Sequence, residues 1–262
     1  MIEVTGDLAI DLINAGSAYT AFIAAPDGRI INGRSSGSNV QSGKVFLFAR
    51  NDIGSAAKAF TTEVGNIEGE STLGSVHVTN TGAMTVGGVT GSATGMVATG
   101  PVYITTNSPL TVGKKIKSDN DIVLTANDSL GDGDTLQINN GIDLESLTRI
   151  LLHAGDHLIL SNTSLLRAPT VEIHTDDGSG GGANGTIELY GTINASTVDL
   201  YGGSGNDVFV ITTTTAGSVT NVYGGTGNDT VYVGTNATRT SNTGGTANLI
   251  NGKLVVNGQG GN

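Results

Sequence analysis

Residues 201–210 read YGGSGNDVFV and residues 223–232 read YGGTGNDTVY, so one turn phrase returns after 22 residues. Each copy stands between two short segments in which apolar and polar residues alternate. Alternation with a period of two is typical of half-buried β-strands, and Gly, Asn and Asp are typical of the turns between them. A strand–turn–strand unit that repeats at this interval favours a chain built from stacked coils.

The same pattern can be followed outward from these two turns through most of the chain. Units open near Val102, Asp121, Ile150, Val171, Val198 and Thr220. A second strand begins at Leu110, Thr135, His157, Thr186, Val208 and Thr230. Weaker third strands are KIKSD, GIDLES, LLRAPT, TINAST and GSVT. Three short strands per unit of about 20 residues predict an all-β fold, a parallel β-solenoid whose inward side chains form columns.

The longer units indicate where insertions are tolerated. Their extra residues, NDSLGDGD (127–134) and DDGSGGGANG (176–185), fall between the first and second strands, as do both GGxGND turns. We therefore predict that insertions are confined to this corner, because stacking fixes the other corners.

The start of the chain is less regular than the rest. Residues 1–43 predict either a broad hairpin or irregular first coils, and the longest helical candidate, 53–65, lacks a clear cap or apolar stripe. We expect a single solenoid domain over 1–262. The final NGQGGN (257–262) resembles another such turn without its Asp, so we expect an excerpt or processed piece of a longer protein.

Composition excludes several classes of partner. The 262 residues include 41 Gly and no Cys or Trp, and the formal net charge is −11. An acidic chain lacks the basic footprint of nucleic-acid or anionic-membrane binding, so neither partner is expected. The opening MIEVTGDLAI has no signal-peptide pattern, and no apolar stretch approaches the roughly 20 residues of a membrane span, so no membrane insertion is expected.

The repeated turn predicts a cation site. The phrase GGxGxD resembles the turns of calcium-binding β-rolls, in which glycines with positive φ aim carbonyls at one point and Asp adds a carboxylate. One loop supplies too few oxygens, whereas two stacked loops supply enough. The predicted calcium ligands are the carboxylates of Asp207 and Asp229 and the carbonyls of Gly203, Gly205, Gly225 and Gly227. The alternative is a metal-free turn with stacked Asn ladders.

Other polar residues gather at the same corner or nearby. Six further carboxylates form either an acidic ridge that attracts cations or ordinary Asx turns. They are Asp128, Asp132, Asp134, Asp156, Asp176 and Asp177. His153 and His174 occupy equivalent places on consecutive units, so they are expected to stack, either as a metal-binding pair or as an outward ladder.

Catalysis finds little support in the sequence. Aromatic residues make up only 4% of the chain, the arginines are scattered, and no nucleophile elbow or zinc motif is present. The chain is therefore expected not to be an enzyme. A groove lined by tyrosines would favour the alternative, a carbohydrate-binding or carbohydrate-degrading β-helix. These tyrosines are Tyr19, Tyr103, Tyr190, Tyr201, Tyr223 and Tyr232.

Several phrases resemble the repeat regions of filamentous-haemagglutinin-type bacterial exoproteins and adhesins. They lie within residues 44–235 and include LFARNDIGSA, HVTNTGAMTVGGVTG, NSPLTVG and HAGDHLIL. The resemblance implies a right-handed parallel β-solenoid, a secreted or cell-surface location and a structural or adhesive role. The GGxGND turns are similar to repeats-in-toxin turns, although those recur every nine residues and these recur once per coil.

These expectations combine into one functional hypothesis. The chain is an extracellular stalk, adhesin segment or filament subunit, stabilised by calcium at one corner. Since a solenoid ends in unpaired strand edges and no covering helix is seen, end-to-end self-association is expected. Cell-surface glycans are the other expected partners.

Overall fold

The computed structural model describes residues 1–107, 109–128, 133–176 and 184–258. Within these ranges there is no helix, 55% of the residues lie in strands, and the strands stack as a parallel β-solenoid of about ten turns. All registered strand pairs are parallel, and 24 of the 26 strands form one continuous sheet network. The predicted fold class, an all-β parallel β-solenoid, is confirmed.

Most coils place one short strand on each of three faces, which we call face 1, face 2 and face 3. Face 1 contains β2 (Leu8–Ile10), β4 (Ile30–Asn32), β7 (Val76–Asn80), β10 (Val102–Thr106), β13 (Ile122–Ala126), β16 (Arg149–Ala154), β19 (Thr170–Thr175), β22 (Thr197–Tyr201), β24 (Val219–Tyr223) and β26 (Lys253–Asn257). Face 2 contains β8 (Met84–Val86), β11 (Leu110–Val112), β14 (Thr135–Ile138), β17 (His157–Leu160), β20 (Thr186–Leu189), β23 (Val208–Ile211) and β25 (Thr230–Val233). Face 3 contains β1 (Ile2–Glu3), β9 (Thr94–Ala98), β12 (Lys115–Ser118), β15 (Asp143–Ser146), β18 (Leu165–Arg167) and β21 (Thr192–Asn194).

The core consists of apolar columns that run along the solenoid axis. Register places equivalent residues of successive coils directly beside each other, so inward positions stack on inward positions. In one such column on face 1, five successive residues are each at most 1% exposed. It contains Ile104, Leu124, Leu152, Ile173 and Leu200. Each fully buried aliphatic side chain of this kind contributes about 2 kcal/mol relative to an exposed one.

The predicted strand starts agree closely with the structure. Every predicted second strand begins where a face 2 strand begins, from Leu110 to Thr230. The unit expected near Asp121 opens one residue later, at Ile122. The third strand predicted at GSVT is wrong, because Val219 already belongs to β24 on face 1. In that coil, Thr214 forms only a bridge to Ile250.

The rule that all insertions share one corner is also wrong. The predicted segments 127–134 and 176–185 do lie between faces 1 and 2, although 129–132 and 177–183 lie outside the described residues. Two further loops, 87–93 and 234–249, leave face 2 on its other side. Side chains hold both loops in place. Val89 N and Thr90 N donate to the buried Glu68 at 3.0 Å, and Arg239 pairs with Glu188.

The first coils are irregular rather than hairpin-like. Here β3 (Ile13–Ala25), β5 (Val40–Ala49) and β6 (Phe60–Ser71) are long strands that continue around the corners, and β3 pairs in parallel with both β1 and β5. The helical candidate 53–65 instead contains the bridging Ile53 and the start of β6. Burial of Phe60 and Ile53 in the core favours this extended path over a helix that has no apolar stripe.

Candidate functional site

The two GGxGND turns join face 1 to face 2 in adjacent coils. Ser204 bridges to Thr226 in parallel, and Val208 is in register with Thr230, so each residue of one turn lies beside its counterpart. The four glycines predicted to supply carbonyls all have positive φ, a region that glycine enters without strain. The φ angles are 103° at Gly203, 103° at Gly205, 96° at Gly225 and 118° at Gly227.

The first glycine of each turn has a different role, which the sequence analysis missed. A Cβ on Gly202 would lie 2.4 Å from Asp207 Oδ2, and one on Gly224 would lie 2.1 Å from Asp229 Oδ2. Only glycine leaves room for the carboxylate that closes the turn. The Gly-Gly pair at the start of each turn is the sequence feature that could have revealed this role. The first glycine leaves space for the carboxylate, and the second adopts the positive φ.

Each Asp uses one carboxylate oxygen to bind the preceding coil. Asp207 Oδ1 accepts from Gly185 N at 2.6 Å, and Asp229 Oδ1 accepts from Asp207 N at 3.1 Å. The second oxygens, Oδ2 of Asp207 and Oδ2 of Asp229, are buried and have no hydrogen-bond partner. Because a carboxylate can only accept, these oxygens are free to take a proton or a cation.

The electrostatics of Asp207 reflect this arrangement. Its side chain is 1% exposed, and burial raises its pKa from 3.8 to about 7. The Gly185 N–H opposes that rise, and the charges of Asp229 and Asp176 add to it. A positive charge at this position would offset both the burial and the repulsion.

An asparagine ladder runs beside the carboxylates. Asn206 N donates to Asn184 Oδ1 and Asn228 N donates to Asn206 Oδ1, both at 2.7 Å. This is the ladder expected from the metal-free interpretation, and it coexists with the two unpartnered carboxylate oxygens. Asn184 is not among the residues predicted from the sequence, although its Asn-Gly pair precedes Asn206-Asp207 by the same 22 residues.

The other predicted acidic residues do not converge on one point. Asp156 Oδ2 accepts from Gly133 N at 2.7 Å and from Asp134 N at 2.8 Å, so Asp156 binds the preceding coil as Asp229 does. Asp176 Oδ2 accepts from Ser204 N at 3.1 Å and from Ser204 Oγ at 2.7 Å.

Of the remaining acids, Asp128 lies at the same corner, whereas Asp132 and Asp177 fall outside the described residues. In the part of the chain that the structure describes, no group of three or more His, Cys, Asp or Glu could hold a metal ion. A cation at the paired turns would therefore depend on two carboxylates and on backbone carbonyls. One of these backbone carbonyl oxygens, Gly203 O, also accepts a hydrogen bond from Thr226 N at 3.1 Å.

The predicted histidine stack is present and is longer than expected. Ring centroids are 4.9 Å apart for His153–His174, 4.5 Å for His174–Tyr201 and 4.8 Å for Tyr201–Tyr223. The rings form an outward ladder on face 1. Since each ring face is turned toward its neighbour, a sugar would meet ring edges rather than an open aromatic platform.

The other tyrosines are dispersed over the molecule. Tyr103 stacks on His77, Tyr190 donates to Glu188, Tyr232 lies on face 2, and Tyr19 is exposed in the first coil. The six tyrosines therefore do not line one groove.

Two surface grooves lie elsewhere on the solenoid. One, of about 300 Å³, lies over the first coils between Phe22, Phe46 and Phe48 and has one carboxylate, Glu3, in its lining. The other, of about 280 Å³, lies beside His153 and Asn127. Neither lining brings two carboxylates together.

Comparison with known protein-family models, curated proteins and solved structures found no match for this chain. Among the described residues, no helix is long and apolar enough to cross a membrane.

Proposed function

We propose that the chain is a non-enzymatic structural rod, a stalk or filament subunit of the extracellular adhesin type. The observation that carries this proposal is the in-register stacking of strands through about ten turns. A rod of this kind has a length set by coil number, about 4.8 Å per coil. Strand hydrogen bonds along the axis and continuous apolar columns would resist both bending and extension.

Outward side chains support the same role. Lys115 Nζ lies 2.7 Å from Glu145 Oε2, and Arg167 Nη1 lies 2.7 Å from Glu145 Oε1, so three successive coils are joined on face 3. These cations lower the pKa of Glu145, Lys115 being the main cause. Single exposed pairs contribute at most about 1 kcal/mol, but a network across coils adds specificity to the register.

Calcium is proposed as a lock at the GGxGND corner. Asp207 and Asp229 would supply carboxylate oxygens, and Gly203, Gly205, Gly225 and Gly227 would supply carbonyl oxygens. The buried Oδ2 atoms, for which Gly202 and Gly224 leave room, have no hydrogen-bond partner and fit a cation that prefers oxygen ligands. When bound, calcium would neutralise the two stacked carboxylates and so stabilise the last coils.

Calcium dependence can be tested by thermal unfolding in a chelator and in millimolar calcium or magnesium. A calcium concentration about 100-fold above Kd adds about 2.7 kcal/mol to the free energy of unfolding. Asp207→Ala and Asp229→Ala should each remove most of that gain, and the double variant little more, because they share one site. Asp119→Ala, at an exposed position, is the matched control. Superimposable wild-type melting curves with and without calcium would refute the proposal that calcium stabilises this corner.

The adhesive role and the carbohydrate alternative are separated by a second pair of measurements. A surface rod with an adhesive function should bind a subset of glycans on an array without releasing reducing sugar. A carbohydrate-degrading β-helix would release reducing ends from a bound polysaccharide. The dispersed tyrosines and the mutual covering of the ladder rings favour the structural role.

A further inference from the structure

The first coils carry an aromatic patch on the outer surface of the solenoid. Along β3 and β5 the inward residues Ile23 and Leu47 are at most 1% exposed, and the alternate positions turn outward. Here the outward residues include Phe22, Phe46 and Phe48, and Phe22 is 40% exposed. Outward positions of a sheet are normally polar, so aromatic side chains on the outer surface of neighbouring strands indicate a binding surface.

Strand register turns this patch into a groove. Glu3 of β1 lies beside Ala24 of β3, and Ala24 lies beside Phe48 of β5, with about 4.8 Å between neighbouring strands. Ala24 has the shortest side chain of this row, so it forms the floor of a gap between Glu3 and Phe48. Phe22 lies two residues before Ala24 on the same side of β3, and its ring centroid is 6.1 Å from that of Phe46. The groove that results has a volume of about 300 Å³.

The charge around the groove is negative. Glu3 is the only charged side chain in its lining, and in the described part of the chain no basic side chain pairs with Glu3. Farther along the same row, Glu70 of β6 is in register with Phe48. Two carboxylates therefore border an aromatic surface, an arrangement that attracts cations and repels anions.

An aromatic groove with a carboxylate at its edge fits one class of ligand. The face of an aromatic ring is negative and attracts a cation that lies within about 6 Å of the ring centroid. A metal ion such as calcium would find too few oxygen ligands in this lining. A quaternary ammonium group combines a positive charge with an apolar surface of methyl groups, so it gains from burial against the rings and from attraction to the carboxylate.

We propose that this groove binds the quaternary ammonium group of a small organic cation, of which choline is the simplest example. The positive group lies over Ala24 and faces Glu3, and its methyl groups contact the three phenylalanine rings. Since no basic side chain lines the groove to pair with a phosphate, the ligand is a free cation and not a phospholipid headgroup. This site lies outside the GGxGND corner, and its ligand adds a binding activity to the rod function.

Choline and a neutral analogue of the same shape separate the effect of charge from that of volume. In the analogue, a tert-butyl group replaces the trimethylammonium group. Titrations followed by calorimetry and by NMR should show that wild type binds choline roughly tenfold more tightly than the analogue. The methyl resonance of bound choline should move upfield because of the aromatic ring currents. Equal affinity for the two compounds, or no binding of choline at tens of millimolar, would overturn the proposal.

Four variants test the placement of the ligand. Glu3→Gln and Phe48→Leu should each weaken choline binding about fivefold, and Glu3→Gln should leave binding of the neutral analogue unchanged. Ala24→Leu fills the gap and should abolish binding of both compounds. Asp11→Asn, at an exposed position outside the lining, removes the same charge as Glu3→Gln and should have no effect. Melting curves would confirm that each variant folds.

Three results would overturn this assignment. Equal losses in Asp11→Asn and Glu3→Gln would mean that choline responds only to the overall charge, and unchanged binding in Ala24→Leu would place it elsewhere. Binding to phosphatidylcholine vesicles without binding to choline would contradict a free cation as the ligand. None of these measurements involves calcium or the stability of the coils, so the rod function and the calcium lock are judged separately.

Discussion

The corner between faces 1 and 2 is built differently in the early and the late coils. In the early coils it contains the fully buried amides Asn39 and Asn80. Asn80 Oδ1 accepts from Thr62 Oγ1 at 2.8 Å, and its Nδ2 donates to the Gly82 carbonyl at 3.0 Å. In the late coils the corner instead contains Asp207 and Asp229, each with one buried oxygen that has no hydrogen-bond partner.

This difference follows from the chemistry of the two side chains. An amide donates and accepts, so backbone groups and neighbouring side chains can satisfy it completely. A carboxylate only accepts, and at a corner made of backbone N–H groups on one side it keeps a surplus oxygen. The early corner is therefore complete without a ligand, whereas the late corner keeps two buried oxygens that can take a proton or a cation. Chelation and pH should affect only the late corner.

The largest effect is expected from Asn39→Ala. Its Nδ2 donates to Ile10 O at 2.7 Å and to Asn32 Oδ1 at 3.0 Å, and its Oδ1 accepts from Thr61 N at 3.0 Å. Loss of these bonds leaves buried groups unsatisfied, so the free energy of unfolding should fall by about 3–4 kcal/mol. Denaturant unfolding should show the same loss with and without calcium. Asn14→Ala, at an exposed position, is the control.

A calcium-dependent loss at Asn39 would contradict the proposed independence of the two corners. The early corner would then be coupled to the cation through the length of the rod.

Asp207→Asn should act in the opposite direction. The Asn keeps an oxygen that can accept from Gly185 N, and it removes a buried charge. In a chelator at pH 8, the free energy of unfolding should rise by about 2–3 kcal/mol. The response to calcium should disappear, so wild type should regain most of the difference when calcium is added. Asp119→Asn, the exposed control, should change neither the free energy of unfolding nor the response to calcium. If Asp207→Asn instead lowered the free energy of unfolding equally with and without calcium, the Asp207 carboxylate would already be stable in wild type without a proton or a cation.

Gly202→Ala is expected to have a smaller effect at the same corner. The new methyl group would lie 2.4 Å from Asp207 Oδ2 and 2.5 Å from Gly224 O, so the carboxylate must move. Overpacking of this kind should cost about 1–2 kcal/mol and weaken calcium binding. Gly91→Ala is the control, because a Cβ there meets nothing within 4 Å. Unchanged stability and calcium affinity in Gly202→Ala would show that the doubled glycine has no such steric role.

Much of this architecture could be predicted because a solenoid repeats one local pattern. Period-two alternation bounded by Gly and Asn located the first residue of six face 2 strands, from β11 to β25, and the 22-residue interval placed Asp207 beside Asp229. The strands of the early coils were harder to predict, because β3, β5 and β6 pass around corners without the Gly or Asn residues that mark a turn. Loops 87–93 and 234–249 depend on contacts such as Glu188–Arg239, whose partners are 51 residues apart in sequence.

The details of the site were only partly predictable for the same reason. The motif identified the glycines with positive φ and both carboxylates. It could not reveal that Gly185 N, in a coil without the motif, binds Asp207 Oδ1. Nor could it show that Asn184 begins the asparagine ladder. Both contacts depend on which residues the stacking brings side by side.

The most direct test of the central claim is the pH dependence of stability in a chelator, measured from pH 5 to pH 8 for wild type and for Asp207→Asn. The folded-state pKa of Asp207, about 7, lies above its ordinary value of 3.8. The folded protein therefore binds the proton more tightly, and this contribution to stability is largest below pH 4 and is lost as pH rises to about 7. Wild type should lose roughly 2–3 kcal/mol relative to the variant across this range, and calcium should remove the difference. Parallel curves for the two proteins, unaffected by calcium, would contradict the account.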